Sequence, residues 1–328
     1  MKILITGITG MVGSHLAEYA RKNHPDVEVH GMVRWRSPLT NLHAVRDQVQ
    51  LHLGELRDLN SMMGVMRKVR PDWIFHLAAQ SYVTTSFDMP AETLHTNVIG
   101  TTNLLDAVRM VGIDPRIHIC SSSEVYGQVL ENEVPISENN AFRPASPYAV
   151  SKVGEDMISL QYFLSYGLKT IRTRMFTHTG PRRGDVFAES VFAKQVAEIE
   201  AGLKPNPVRV GNLNSVRTLA DVRDAVRAYW LLLEKCIPGE VYNIGGEEAM
   251  TVGDILEKYK RMARCPIQHV VDPALIRPSD VTLQIPNTKK FRAATGWKQQ
   301  ISADQTLADL LQYQRDQVRG RITEAAAA

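Results

Sequence analysis

Cysteine is scarce. The 328-residue chain has three, Cys120, Cys236 and Cys265, and no Cys-x-x-Cys pair. An odd, scattered set excludes a disulfide scaffold and a cysteine-based zinc site, and suits a reducing compartment. Long apolar runs are missing as well, and none approaches the roughly 18 residues of a membrane span. The N-terminal stretch Met1–Gly10 lacks the longer apolar core and small-residue cleavage site of a secretion signal, so the expected location is cytoplasmic. Neither sign of charge dominates: 38 Lys and Arg stand against 35 Asp and Glu, a net charge of +3 that gives no pointer to nucleic acid. Ten histidines include no His-x-x-x-His spacing, so no metal centre is expected. Repeats and low-complexity segments are absent too. What is present is 44% hydrophobic and 22% charged sequence, enough apolar residue to exclude disorder, over a length that fits two domains or one large one with an elaboration.

Apolar runs and helical spacings alternate through the first half. Strands are expected at Lys2–Thr6, Val27–Val33, Val49–Leu53, Trp73–Leu77, Arg116–Ser121 and Leu168–Arg174. Helices are expected at Met11–Lys22, Leu59–Val69, Ala91–Val111 and Pro147–Tyr166. This alternation predicts an α/β fold, a doubly wound parallel sheet with helices on both faces. After Arg174 prolines break the chain into shorter pieces, with helices expected at Ser190–Ala201, Asp221–Lys235, Val252–Ala263 and Thr306–Arg319. A smaller C-terminal substrate domain beside a Rossmann-type sheet follows. The expected division is a cofactor domain at 1–174, with segments returning from about 212–245, and a substrate-binding part mainly at 175–322.

The turn Gly7-Ile8-Thr9-Gly10-Met11-Val12-Gly13 joins the first strand to the first helix. Gly7 suits a tight turn, Gly10 a close approach of backbone to a pyrophosphate, and Gly13 the packing of helix on strand. A strand before it and a helix after it are the context that gives the motif meaning. The second strand ends in Val33-Arg34-Trp35-Arg36-Ser37, without the acid that would meet the 2′-hydroxyl of NAD. Arg34 and Arg36 suit a 2′-phosphate, so the expected cofactor is NADP. Glu55 and Asp58 follow the third strand, where an adenine amine is to be met.

Tyr148 and Lys152 stand at i and i+4 on one helical face. An ammonium beside a phenol favours phenolate, which can exchange a proton with a substrate hydroxyl near neutral pH. The fifth strand ends in Ser121-Ser122-Ser123-Glu124, at the sheet edge where ligands of open α/β sheets bind. Ser122 is the candidate partner of the hydroxyl being oxidised, and Glu124 an ionisable group that a plain turn does not need.

The glycine turn, Asn97, the Ser-Ser-Ser-Glu strand end and the Tyr148/Lys152 pair together resemble the extended short-chain dehydrogenase/reductases acting on nucleotide-activated sugars, over nearly the whole chain. His76–Val83, Gly31–Arg34, Pro181–Gly184, Val210–Asn212 and Arg277–Val281 resemble the GDP-mannose 4,6-dehydratases. Val222–Asp224, Tyr229–Leu232 and Thr295–Lys298 look closer to the GDP-4-keto-6-deoxymannose reductases. The resemblance implies Tyr148 as acid/base, Lys152 as its partner, and Ser122, Ser123 and Glu124 as catalytic neighbours. It implies cofactor contacts at Gly7, Thr9 to Gly13, Arg34, Arg36, Glu55, Leu56, Leu77, Ala78, Ala79, Gln80, Asn97, Tyr148 and Lys152. For the sugar nucleotide it implies Ser81, Ser122, Glu124, Thr177, Lys194, Val210, Asn212, Arg217 and Arg277. Two stretches depart from the pattern: Thr177-His178-Thr179-Gly180 lacks the usual leading Asn, and Arg217-Thr218-Leu219 replaces Arg-Asp-aromatic.

Two chemistries follow. In a 4,6-dehydratase Tyr148 takes the 4-hydroxyl proton and Glu124 the C5 proton. In a 4-keto reductase NADPH reduces the ketone, Tyr148 supplies the proton and Glu124 is positional. A different nucleotide-sugar epimerase or dehydratase, and a non-catalytic NADP-binding protein, are the remaining alternatives. Relatives pair the helices near 93–111 and 148–166 across a dyad, which implies a homodimer with a four-helix interface.

Overall fold

The computed structural model describes residues 1–276 and 281–327. Seven strands form one all-parallel sheet: β1 (Lys2–Thr6), β2 (Glu28–Val33), β3 (Gln50–Leu53), β4 (Trp73–His76), β5 (Arg116–Ser122), β6 (Thr170–Met175) and β7 (Val241–Ile244). Their order is β7-β6-β5-β4-β1-β2-β3. Chain direction across the sheet therefore reverses at β1, between β4 and β2, and that reversal opens a crevice at the carboxyl ends of the strands.

The longer helices are α1 (Met11–Asn23), α2 (Leu59–Val69), α3 (Pro90–Val111), α4 (Pro147–Tyr166), α5 (Ala188–Glu200), α6 (Val222–Lys235), α7 (Val252–Met262) and α8 (Ala303–Ala327). Central strands are buried on both faces, which is why Ile3, Leu4 and Ile5 run consecutively apolar instead of alternating. On one face Ile3, Ile5, Leu16, Val226, Trp230 and Leu233 share a core with Phe291 and Trp297 from far along the chain. On the other face Leu4, Met62, Met66, Leu104, Val108 and Tyr162 share a second core. A third core lies away from the sheet, where Phe192, Val208, Tyr259, Leu307 and Leu310 bring together α5, α7 and α8.

The first half follows the sequence expectation to within a residue or two at most ends. The expected unbroken helix Ala91–Val111 is a correction. Helical pieces Pro90–Leu94 and Gly100–Val111 flank a π segment, His95–Ile99. One widened turn leaves the apolar spacing almost unchanged, so periodicity does not register it. The nine-residue 3₁₀ segment Thr40–Gln48 and strand β7 were not foreseen.

Buried neutral histidines pack beneath the crevice. His76 bonds Thr6 and Thr101 through its two ring nitrogens, at 2.9 Å each. The Nε2 of His118 meets Thr173 Oγ1 at 2.8 Å. Burial, followed by the positive charge of Lys152 for His76 and by His76 and Lys152 for His118, lowers both rings to about 3. The unfolded chain takes up protons at these sites from about pH 6.5 downward, and the folded chain refuses them until near pH 3. Their stabilising effect is complete above pH 6.5 and is lost as pH falls. Between pH 6 and 4 the unfolding free energy should drop by about 2.7 kcal/mol per pH unit from these two rings. Urea denaturation across that window should show His118→Gln with a slope shallower by one proton.

Candidate active site

The turn after β1 is packed so closely that side chains are excluded. Gly7 has φ +69°, and a Cβ there would lie 2.9 Å from Ala78 N. A Cβ on Gly13 would lie 2.3 Å from the Gly7 carbonyl oxygen. A Cβ on Gly10 would meet only that same carbonyl within 4 Å, so the space above Gly10 is open. Gly10 is the N-cap of α1, gives no side-chain cap, and the first helical turn has no acid. Unpaired N–H groups at the positive end of a helix thus face the crevice. The Thr6 hydroxyl accepts from Leu77 N and Ala78 N, 3.1 Å each, and ties this turn to the one after β4. Asn41 Nδ2 donates to Thr9 O at 2.9 Å.

Beyond β2, Arg34 and Arg36 are exposed, and the Arg36 guanidinium lies 4.1 Å from the Trp35 ring centre. Both cations are free to reach a ligand. After β3 the residues expected near an adenine also have partners within the protein. The Asp58 carboxylate caps α2 by accepting Ser61 N at 2.9 Å. The Glu55 carboxylate is turned to Arg57, and Leu56 is a core residue whose carbonyl accepts Asn103 Nδ2.

Past β4, Leu77, Ala78 and Ala79 line the crevice half-buried, and Ser81 is exposed. Gln80 and Asn97, expected to touch the cofactor, spend their amides on the protein itself. Asn97 Oδ1 accepts Gln80 N (2.8 Å), while its Nδ2 donates to Gln80 O (2.9 Å) and Ser151 Oγ (2.8 Å). The Gln80 amide is taken up by Tyr82 and Thr93. Asn97 sits in the π segment, where the widened turn presents it to both neighbours. It is a clamp between the β4 loop and α4.

The residues expected to move a proton lie at the end of β5 and on the start of α4. Ser146 caps α4 and Pro147 occupies its first turn, which fixes where Tyr148 and Lys152 emerge. Ser122 stands near enough to Tyr148 to favour its ionised form. Ser122 also accepts Glu124 N, so it caps the 3₁₀ turn that carries Ser123 and Glu124. Lys152 Nζ donates to Cys120 O (2.9 Å) and to Glu155 Oε2 (3.0 Å), and lies 5.8 Å from the Tyr148 ring centre. Burial raises Tyr148, while Lys152 and Ser122 pull it down. Burial opposes the charge on Lys152, but Glu155, Tyr148 and Cys120 outweigh it and keep the ammonium protonated.

Two residues within the sequence motifs are not among the expected site residues: Arg183, which bears on Tyr148, and His178 beside it. Arg183 packs its guanidinium 3.4 Å over the Phe187 ring, its Nε has no hydrogen-bond partner, and it feels the charges of Glu189 and Tyr148. Burial lowers it from the ordinary arginine value. His178 is lowered by burial, and then by Arg183, to about 4, and its Nδ1 lies 3.2 Å from the Phe176 carbonyl. That neutral ring donates from Nδ1 and keeps Nε2 as an acceptor. The adjacent arginines Arg182 and Arg183 were visible as a motif. Their different partners were not: both are half-buried, but Arg182 goes to Glu18 and Ser14 whereas Arg183 goes to the Phe187 ring.

The remaining sugar-nucleotide candidates are spread along the third core. Thr177 is half-buried at the end of β6. Lys194 pairs with Asp185 at 2.6 Å, and both line a 440 Å³ cavity with Arg182, Arg183 and Arg321. Val210 is a fully buried core residue, so only its backbone is open to other contacts. Asn212 bonds Ser215 Oγ and Asn214 N, and Arg217 bonds Val216 O. Arg277 lies outside the described residues. Among the described residues no cluster of His, Cys, Asp and Glu could hold a metal ion.

The profile of a family described as GDP-mannose 4,6 dehydratase matches residues 4–310. The chain belongs to this family. A GDP-6-deoxy-D-mannose reductase of Pseudomonas aeruginosa is 32% identical over 97% of this chain and 98% of its own length. A GDP-mannose 4,6-dehydratase of Yersinia enterocolitica is 31% identical, over 94% and 92%. Among solved structures, RMD from Pseudomonas aeruginosa complexed with NADPH superposes with a TM-score of 0.84 at 30% identity, covering 96% of this chain and 99% of that one. The UDP-glucose 4-epimerase of Thermotoga maritima with UDP-glucose gives 0.87 at 27%, covering 97% and 100%. The GDP-mannose 4,6 dehydratase family thus brings a Rossmann-type fold to this chain along its whole length.

Asn97→Ala removes three hydrogen bonds, one buried and two part-buried, and leaves Gln80 N, Gln80 O and Ser151 Oγ each short of one partner. Unfolding free energy should fall by about 2–4 kcal/mol, read by urea denaturation.

Proposed function

We propose that this protein is an NADP-dependent nucleotide-sugar 4,6-dehydratase acting on GDP-mannose. The observation that carries the reading is the placement of Ser122 at the carboxyl end of β5, Glu124 on the 3₁₀ turn that Ser122 caps, and the buried Tyr148 and Lys152 on the first turns of α4. Reduction alone requires a proton donor, whereas elimination also requires a base for a carbon acid.

The residues present fit NADP. The open face above Gly10 and the free N–H groups of α1 suit a pyrophosphate, Arg34 and Arg36 suit a 2′-phosphate, and Lys152 suits ribose hydroxyls. Arg183, with its unpartnered Nε, suits an anionic group beside Tyr148. When bound, the nicotinamide supplies a reversible acceptor for the C4 hydride and returns it to C6. Tyr148 accepts the 4-hydroxyl proton while Ser122 holds the oxygen. The resulting ketone acidifies C5, and Glu124 takes that proton. The C6 hydroxyl then leaves as water with the proton Glu124 acquired, and as hydride returns to C6 a proton is taken up at C5, matched by the one that Tyr148 gives up. No net oxidation results. Cofactor contacts fall in 1–174 and the returning segments from 212–245, and sugar-nucleotide contacts mainly in 175–322.

Incubation with GDP-mannose and catalytic NADP⁺ should give a sugar nucleotide lighter by one water, with no build-up of NADPH. Unchanged GDP-mannose overturns the reading. Tyr148→Phe should lower kcat by about 10²–10⁴-fold. Glu124→Gln should still exchange hydride at C4 and lose no water. The likeness to the Pseudomonas reductase supports a second reading, 4-keto reduction. NADPH consumption on the 4-keto-6-deoxy sugar, with GDP-mannose inert, selects it.

The reading extends to assembly and place. Leu94 and Ile99 of α3 and Val150, Met157 and Leu164 of α4 are exposed on adjoining helices. Covering them with the same face of a second copy makes a four-helix homodimer. Sedimentation should give a dimer for the wild type and a monomer for Val150→Asp/Leu164→Asp. Three free thiols, and the absence among the described residues of a helix long and apolar enough to cross a membrane, support a cytoplasmic location.

A further inference from the structure

Lys152 is not free to face Tyr148 alone. Its Nζ donates to Glu155 Oε2 at 3.0 Å, and both side chains are buried. Glu155 is 1% exposed, and its second oxygen, Oε1, has no hydrogen-bond partner. A carboxylate that is fully enclosed and half-satisfied is costly in a core. It therefore calls for a role, and its one polar contact is the ammonium that the proton transfer depends on.

We propose that Glu155 is a positioning residue that sets the ionisation of Tyr148 by sharing the Lys152 ammonium. The argument is electrostatic. An isolated ammonium favours a nearby phenolate. An ammonium paired with a carboxylate 3.0 Å away presents a dipole, whose field falls off faster than that of a charge. With Glu155 ionised the pair is neutral overall and Tyr148 keeps its proton. With the Glu155 charge gone, the Cys120 carbonyl and the phenolate itself are what hold the ammonium charged, so the ammonium pairs with Tyr148 alone and Tyr148 ionises more readily.

The other groups facing this pair are few. On α4, Asp156 lies beside Glu155, but its charge is taken up by Arg172 and Arg174 from β6. From β5 come the Cys120 thiol, which burial raises, and the neutral His118; from β4 comes the neutral His76. From α6 comes Tyr229, raised by burial and 3.4 Å from Cys120 Sγ, and the Arg183 cation bears on Tyr148 from the segment after β6. Burial pushes the Glu155 carboxyl up, Lys152 draws it back, and Asp156 pushes it further up. Glu155 is thereby the variable charge in the group.

The proposal rests on the reading of Tyr148 and Lys152 as the proton-transfer pair, and its test uses apo protein without sugar, so the choice of substrate cannot affect the outcome. Ultraviolet difference titration of tyrosinate, taken against the Tyr148→Phe background, isolates Tyr148. Glu155→Gln keeps the shape and a hydrogen bond and removes the charge; Glu155→Met removes the charge while keeping volume, should the Gln variant not fold. Either should lower the Tyr148 midpoint by about one pH unit, a tenfold change in proton affinity. Glu155→Asp, which keeps the charge, should stay with the wild type. An unchanged or raised midpoint in the charge-free variants, or an equal drop in Glu155→Asp, overturns the proposal. In turnover, the acid limb of kcat against pH should move the same way, with KM little altered.

Discussion

The structure depends on a helix that turns charge inward. Along α4, Lys152, Glu155 and Asp156 are all buried, facing strands β5 and β6 rather than water. Asp156 is the fixed point, accepting from Arg172 Nη1 and Arg174 Nε at 2.8 Å each. Arg174 continues to Tyr126 at 3.0 Å, and Tyr126 to Asn243 at 2.7 Å. A buried network of this kind adds less to net stability than its Coulomb energy suggests, but breaking one partner strands the others, at a cost of about 3–5 kcal/mol. It therefore fixes the height and rotation of α4 against the sheet. Tyr148 and Lys152, one turn apart, inherit that placement.

A second constraint acts from the other side of the crevice. The Thr6 hydroxyl and the Asn97 amide hold the loop after β4 from two directions. Asn97 also reaches Ser151, the residue before Lys152. The glycine-rich turn, the β4 loop and the catalytic helix are thus fastened together by buried hydrogen bonds within a few residues of one another. Preorganisation of this sort allows a phenol and an ammonium to meet a ligand without large rearrangement.

Much of this was legible in the sequence because the relevant signals are local. Gly7, Gly10 and Gly13 sit where a strand run gives way to a helical spacing, and their positions alone indicate a cramped turn. Tyr148 and Lys152 share a face by arithmetic. The parts that were not legible depend on burial and on distant partners. Asn97 reads as a ligand contact, and nothing in the sequence announces the π segment or the bonds it makes to Gln80 backbone and Ser151 Oγ. Asp58 looked like an adenine contact, but the start of α2 needs a cap and takes it. Glu155 stands three residues beyond Lys152, a spacing that on most helices marks a solvated ion pair. Only the sheet lying against that face makes it a buried one. Phe291 and Trp297 joined the core under the sheet from across the chain, and no periodicity can announce such a return.

Gly154 brings α4 within contact of the preceding helix: a Cβ there would lie 2.6 Å from Val98. That glycine sits between Lys152 and Glu155 in sequence but on the opposite side of the helix from them, toward the π segment. The inner face of α4 is locked by ions, while its outer face carries Val150, Met157 and Leu164. One rigid rod thus bears both the reacting groups and the apolar surface that another molecule can cover. Any load placed on the outer face is carried by the same beam that holds Tyr148 and Lys152 against the sheet, so the two faces of α4 cannot move independently.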